Sequence, residues 1–479
     1  YAFRQGLIAS GINELVNYTT TNSLTSYSNY LRRESYLGNV EYNYKDKYYL
    51  SGNYNYSGTS KFSPLNRWGS FWGVGASWRI DQEDFMKDIT AVNALKLRSS
   101  YGQIGNDDLL TGSGALDFYP DKGLYDLGTN NANEAGFWIA SVARPELAWE
   151  KNSQFDIALE FTLFNRVRGI LEYYDRQSAN LLFKEPKPVS SGISEVWTNI
   201  GTMYNRGFEV SLSVDPIKTR DFIWTIDVNA ATNKNKITKM PKNLDGTPKE
   251  IVTGTKQLAE GQSLYDFWLR KWYGVSETTG EALYYANNTL ATSGIVIIGN
   301  DTLSTNINNA KYGYNGSAIP DVQGSFTNTL KYKSLDFSFM FVYSIGGVIY
   351  DATYANLMSS GNVGGAKHID LMQRWSKPGD ITNVPRMDNA RTADFVGVSD
   401  RFLISRSYLS FKNIQLGYTF PKSWMRSIEA TDARIFVTGE DLFILSARKG
   451  MNVNQSFAGV TSNVYNPAKV ITVGLNFTF

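Results

Sequence analysis

Residues 36–57 read YLGNVEYNYKDKYYLSGNYNYS. Tyr36, Gly38, Val40, Tyr42 and Tyr44 alternate with Leu37, Asn39, Glu41, Asn43 and Lys45. After Asp46 and Lys47, Tyr48, Leu50, Gly52, Tyr54 and Tyr56 alternate with Tyr49, Ser51, Asn53 and Asn55. A period of two is that of a strand with one apolar and one polar face, because successive side chains point to opposite sides. Two such runs across the short link 45–47 predict an antiparallel hairpin. The pattern recurs in Phe155, Ile157, Leu159, Phe161 and Leu163, in Phe208, Val210, Leu212 and Val214, and in Phe222, Trp224, Ile226 and Val228. It returns in Leu335, Phe337, Phe339, Phe341 and Tyr343 and closes the chain in Ile471, Val473, Leu475, Phe477 and Phe479.

Thirteen strands are expected, at 36–45, 47–57, 69–79, 94–102, 152–163, 167–179, 204–214, 221–231, 325–333, 335–343, 407–420, 433–441 and 470–479. About ten residues is long for a soluble strand and is the length that crosses a bilayer at a tilt. The polar face carries Glu, Lys, Asn and Asp in strand after strand, which suits a wet lumen. The connections alternate in length. Those at 45–47, 164–166, 215–220 and 333–334 are short and those at 80–93 and 421–432 medium, whereas 58–68, 103–151, 180–203, 232–324, 344–406 and 442–469 are long. Antiparallel strands send every second connection to the same end, so one end is all turns and the other all loops. That pattern predicts an all-β transmembrane antiparallel barrel with short periplasmic turns and long extracellular loops.

Composition narrows the chemistry. Forty-seven Lys and Arg against 45 Asp and Glu leave +2, which argues against a nucleic-acid partner. There is no cysteine and one histidine, so thiolate chemistry and multi-histidine metal sites are excluded. Aromatic residues make up 14% and charged residues only 19%, a membrane-like balance. No run of 18 apolar residues predicts a transmembrane helix. The start at Tyr1, without a leader pattern, is expected to be a processed or truncated one.

The segments LGNVEYNYKDKYYL (37–50), NRWGSFWGVGASW (66–78), LKLR (95–98), YGQIGN (101–106) and WEK (149–151) carry a family resemblance. So do NIG (199–201), NRGFE (205–209), RWSKPGD (374–380), SYLSFKNI (407–414) and the ending GLNFTF (474–479). In this order along nearly the whole chain, they resemble SusC/RagA-type TonB-dependent transporters of the outer membrane. The resemblance implies a barrel of twenty-two strands with an N-terminal plug. Residues 1–479 are then expected to be its C-terminal part, the plug and first strands lying outside this chain. Residues 1–35 would be the end of an upstream strand and an extracellular loop. The resemblance further implies active import of oligomeric nutrients, glycan or oligopeptide, driven by the TonB-ExbB-ExbD system through the plug. It also implies a SusD-like lipoprotein on the extracellular side, a dimer of such pairs, and no cofactor. A passive porin-type channel, a surface adhesin and an outer-membrane enzyme are the alternatives.

Candidate residues follow from chemistry and resemblance together. Loop aromatics offer flat faces for sugar rings or peptide side chains; Tyr119, Trp138, Trp197, Trp272, Tyr284 and Trp375 are selected. Strand-end aromatics such as Tyr48, Tyr49, Trp72, Trp78, Tyr173, Tyr418 and Phe420 suit interfacial girdles. Phe479 is expected to act as the assembly signal. No catalytic group and no metal site is expected. His368 lacks identifiable partners nearby, Asp107-Asp108 reads as a solvated pair, and the Asn-rich 300–309 lacks a calcium-loop pattern. Gly102 and Gly105 are expected to let the chain turn after a strand.

Overall fold

The computed structural model describes residues 2–7, 18–24, 28–110, 116–131, 134–243, 245–289, 293–359, 364–425, 429–462 and 464–478. Phe479 lies outside the described residues. Thirteen strands pair antiparallel in chain order. They are β1 (Arg33–Tyr44), β2 (Tyr48–Thr59), β3 (Trp68–Arg79), β4 (Val92–Asn106), β5 (Glu150–Leu163), β6 (Val167–Ala179) and β7 (Thr202–Lys218). They continue as β8 (Phe222–Ala231), β9 (Val322–Tyr332), β10 (Leu335–Ile345), β11 (Tyr408–Thr419), β12 (Asp432–Ser446) and β13 (Val470–Thr478). Each predicted strand is present. Several run further towards the loop end than the alternation indicated, β4 to Asn106 and β12 to Ser446.

Two turns show how tightly the other end is closed. Lys45 and Asp46 have φ of 55° and 53°, and Phe164 and Asn165 both 54°. Two successive positive φ angles make a type I′ turn, whose twist matches that of the flanking strands. Asn43 accepts from the Asp46 amide at 3.0 Å and so stabilises the first turn locally.

Register sorts the faces. Across β4, β5 and β6, Leu97, Leu159 and Leu171 are neighbours on one face, while Arg98, Ala158 and Glu172 are neighbours on the other. The apolar face carries two aromatic bands on β1–β3. Tyr44, Tyr48 and Trp78 stack at the turn end, with centroids 6.4 and 6.5 Å apart. Tyr36, Trp68 and Tyr56 stack at the loop end, at 6.1 and 4.9 Å. Eight residues separate Tyr48 from Tyr56, roughly 26 Å of strand, close to the height of a hydrocarbon core. Further round the sheet, Phe326, Phe341, Phe411 and Phe443 form a ladder on the same face, with successive centroids 5.3, 4.5 and 5.4 Å apart. Val40, Val74, Ile471 and Val473 on this face are exposed and cover nothing.

Three readings are corrected. Tyr49 cannot share a face with Tyr48; it lies opposite Asn43 and Ser77, on the polar face. Gly102 and Gly105 lie inside β4, not at a turn. The Phe71 ring covers Gly105 so closely that a Cβ there would meet it at 2.0 Å. Among the described residues before β1, Ala2–Leu7 pairs with Tyr18–Leu24 in a two-stranded sheet separate from the large one.

The long connections fold into a canopy at one end. Ile251–Thr253, Lys256–Leu258, Asp266–Arg270 and Tyr312–Ser317 make one four-stranded sheet. Trp272–Val275, Ala282–Tyr285, Asp301–Ser304 and Ile295–Ile298 make another. Helices Ala352–Leu357 and Thr392–Val396 complete it. Phe267, Leu269, Tyr350, Met358, Phe395 and Phe402 form a buried core drawn from two different connections. No helix among the described residues is long and apolar enough to cross a membrane, which says nothing of crossing by strands.

Candidate functional site

The polar face is a wall of fixed charge. Arg98 donates to Glu160 at 2.8 Å, to Glu172 at 2.6 Å and to Asp156 at 3.4 Å. Three carboxylates thus surround one guanidinium on three adjacent strands. Arg168 reaches Asp215 at 3.1 Å, and Thr225 donates to the same carboxylate at 2.8 Å. On the far side of the sheet Arg434 pairs with Asp336 at 2.6 Å. Each pair joins strands whose polar residues share a parity, so the period-two pattern itself brings the charges together. Held in this geometry, the groups give the polar face a fixed array of alternating charge.

Above the wall, the selected aromatics divide by how much ring they present. Trp138 is 59% exposed on the hairpin Leu124–Asn131/Glu134–Ser141, anchored by its indole N–H to Asp126 at 3.0 Å. Phe137 beside it is 72% exposed. Tyr119 is half-buried, and its hydroxyl accepts from the Tyr30 amide at 2.9 Å, tying the canopy to the segment leading into β1. Trp197 is half-buried as well; its N–H donates to Asp117 at 3.0 Å and the Lys184 ammonium lies 5.2 Å from its ring.

Trp272, Tyr284 and Trp375 belong to the other half of the canopy. The Trp272 amide donates to Asp400 at 2.7 Å and its indole to Asn383 at 2.9 Å. Arg401 covers its ring at 4.7 Å. Tyr284 is fully buried, its hydroxyl donating to the Asp394 carbonyl at 2.6 Å, so it has no free face to offer. Burial pushes its ionisation well above the ordinary phenol range. Trp375 lies on Gly280, whose φ is 71°; a Cβ there would meet the indole at 2.4 Å. The six residues therefore do not converge on one cavity. The sequence reading missed the polar anchors that fix them, Asp400, Arg401 and Arg391. Arg391 bridges Glu281 and Asp394, and nothing in the local pattern of 389–401 marks such a role.

The minor candidates have structural roles. The His368 ring accepts from the Asp370 amide at 3.2 Å and caps a short 3₁₀ turn, Ile369–Gln373. Asp107 is held by Arg33 at 2.7 Å, and the Lys61 ammonium donates to its carbonyl, also at 2.7 Å. The pair Asp107-Asp108 is thus tied to cations instead of simply solvated. Asn306 caps the turn Ile307–Asn309 by accepting from Asn308. Among the described residues no cluster of three or more His, Cys, Asp or Glu could hold a metal ion.

A large antiparallel sheet with one apolar and one charged face, short turns at one end and folded loops at the other defines a membrane barrel wall. The chain belongs to the family described as TonB dependent receptor-like, beta-barrel, which it matches over residues 3–440. It is 29% identical over 507 residues to TonB-dependent receptor P26 of Formosa agariphila, covering 98% of this chain and 48% of that one. It is 27% identical over 485 residues to TonB-dependent receptor SusC of Bacteroides thetaiotaomicron, covering 98% and 45%. The RagAB peptide transporter structure superposes with a TM-score of 0.81 at 23% identity, over 98% of this chain and 50% of that one. This chain therefore spans about half the length of the relatives it matches.

The family comprises receptors and transporters of the outer membrane, not enzymes. The apolar face meets lipid, the charged face the lumen, and the canopy is extracellular.

Proposed function

We propose that this chain supplies the C-terminal wall and the extracellular canopy of an importer of oligomeric nutrients, glycan or oligopeptide. In this reading it works with a SusD-like lipoprotein on the canopy and is energised by TonB-ExbB-ExbD through a plug. The observation that carries the proposal is the one-sided canopy: folded domains with a buried core of their own, stacked above a polar wall. Closing a hairpin needs two to five residues, so such loops have another task. The SusC relative and the likeness to a peptide transporter support that task being cargo capture. β1 and β13 each have one edge unpaired within the described sheet. An open edge is not tolerated in lipid, which supports further strands closing the barrel; that they number twenty-two in all, and that the transporter-lipoprotein pairs assemble as dimers, is proposed from the family resemblance alone.

Trp138 and Phe137 are the canopy aromatics best placed to meet a partner or cargo, and Trp197 and Trp272 present partial faces. Phe479 is proposed as the assembly signal; its deletion is expected to lower the amount in the outer membrane. The test of the importer is removal of 123–142, whose two strands pair with each other and with no further strand among the described residues. Heat-modifiable barrel migration is expected to persist, while lipoprotein copurification and growth on the oligomeric nutrient fall. Growth that survives loss of TonB would favour a passive channel, and partner binding and growth both unchanged by the deletion would remove the lidded importer.

A further inference from the structure

Between the helix Ala352–Leu357 and the loop 448–466 lies an extracellular cleft of about 490 Å³ that none of the candidate aromatics lines. Its floor is Asp351, 1% exposed. That carboxylate accepts from the Tyr354 amide at 3.0 Å, from Arg448 Nε at 2.5 Å and from the Thr461 hydroxyl at 3.4 Å. The Arg448 guanidinium carbon lies 3.6 Å from the Tyr354 ring centroid, a cation–π contact that helps hold it in place. The Tyr354 hydroxyl in turn donates to Asp370 at 2.7 Å. Burial, and then the Asp370 carboxylate, push its ionisation up to about 12, so it remains a donor.

What this frame leaves over is a set of donors. Asp351 engages only Nε, so Arg448 Nη1 and Nη2 have no hydrogen-bond partner among the described residues. Lys449 lines the same cleft, is exposed, and forms no salt bridge with a carboxylate among the described residues. His368 lies at the rim, its Nδ1 held 3.2 Å from the Asp370 amide and 3.3 Å from the Asp370 carboxylate. The two acids present, Asp351 and Asp370, are already engaged by Arg448 and Tyr354. Tyr465, fully exposed at the mouth, offers a flat face. A planar fork and a point cation beside an aromatic platform suit an oxyanion attached to a larger, flat or ringed body.

We propose that this cleft is a binding subsite for an oxyanion substituent, carboxylate or sulfate ester, carried by the oligomeric cargo. It rests on the importer reading above, and gives that cargo a charge. Arg448 supplies the bidentate contact, Lys449 the field, and Asp351 and Tyr354 position Arg448 without touching the ligand.

Equilibrium binding to the full-length transporter in nanodiscs tests it, with no energised membrane needed. The probes are hexagalacturonate, O-sulfated maltohexaose and a hexapeptide with a free carboxylate, against neutral maltohexaose and the amidated hexapeptide. At least one anionic probe is expected to bind ten-fold or more tighter than its neutral partner, with affinity falling as salt rises. Arg448→Lys, which keeps the charge and the ring contact, and Lys449→Ala are each expected to erase most of that preference while loop proteolysis is unchanged. Neutral affinity is expected to stay the same. No anionic preference in the parent protein, or equal losses for charged and neutral probes, overturns the subsite. Carboxylate and sulfate are separated by which anionic probe responds. Because binding is read apart from uptake, a failed subsite with intact TonB-dependent growth leaves the importer standing, and the reverse result sinks only the importer.

Discussion

Leu159 and Phe402 are both large apolar residues in this chain, but they are apolar for different reasons. Leu159, in β5, has Leu97 and Leu171 beside it on the apolar face of the sheet and is only half-buried. Phe402 is 1% exposed and packs with Tyr350 and Tyr354 inside the canopy, at ring distances of 6.2 and 6.3 Å. The wall satisfies its backbone within the sheet and leaves its apolar face to lipid. The canopy stands in water and needs an interior, which it assembles from several connections at once. One molecule thus follows the membrane rule and the globular rule within a single chain, and the two parts should fail independently.

Phe402→Ala is the largest expected effect on that separation. Truncating a fully buried Phe costs about 3–5 kcal/mol, and here it is expected to expose canopy cleavage sites to protease while the barrel keeps its heat-modifiable migration. If the barrel unfolds together with the canopy, the two are one cooperative unit.

Next in size is Leu159→Arg. A cation near the bilayer midplane costs about 2–4 kcal/mol, read by reversible unfolding in lipid. Its control on the other face is Glu160→Gln. Glu160→Arg would place a second cation where Arg98 now sits 2.8 Å from the carboxylate, adding repulsion that has nothing to do with lipid. Equal losses from Leu159→Arg and Glu160→Gln would mean the two faces do not differ as lipid and lumen do, and a larger loss from Glu160→Gln that they are reversed.

A smaller test lies on the lipid face itself. The Trp224 indole donates to Asn328 at 3.0 Å, the one acting as cover for a polar amide among apolar neighbours Ile226 and Phe339. Trp224→Phe leaves that amide unsatisfied and is expected to destabilise by about 1–2 kcal/mol. Asn328→Leu in the same background should restore most of it.

A comparable effect, spread over about two pH units, is a pH dependence confined to the canopy. The Lys256 ammonium donates to the Tyr265 carbonyl at 2.6 Å and lies 3.1 Å from the Phe267 ring centroid. Burial pulls its pKa down to about 7; Asp266 opposes the shift and Arg406 adds to it. The unfolded chain keeps its proton up to roughly 10.4. Between these values the unfolded state binds more protons than the folded one, so canopy stability rises with pH and is flat below about 7. Hydrogen exchange of 256–269 should slow from pH 7 to pH 9 after correction for intrinsic rates, and Lys256→Met should abolish the change. A barrel signal that moves in step with it would again join the two regions.

By itself the sequence determined the wall. A membrane strand alternates between lipid and lumen residue by residue, so its two environments are written into neighbouring positions such as Phe155, Asp156 and Ile157. The thirteen strands that follow one another along the sheet, their order and the one-sidedness of the loops follow from local pattern and connection length, whereas a fourteenth, Lys234–Lys239 paired with β7, does not. Only the tertiary structure decided the canopy. Trp272 meets Asp400 across 128 residues, and Tyr284 reaches Asp394 across 110. Trp138 and Tyr284 look alike as loop aromatics, but one is 59% exposed and the other fully buried. The reason is physical: burial in a globular interior is set by contacts between segments far apart in the chain, and no period within either segment encodes which partner will cover it. The same holds for Arg448, whose partner Asp351 lies 97 residues away and whose remaining donors define a cleft only when the two loops meet.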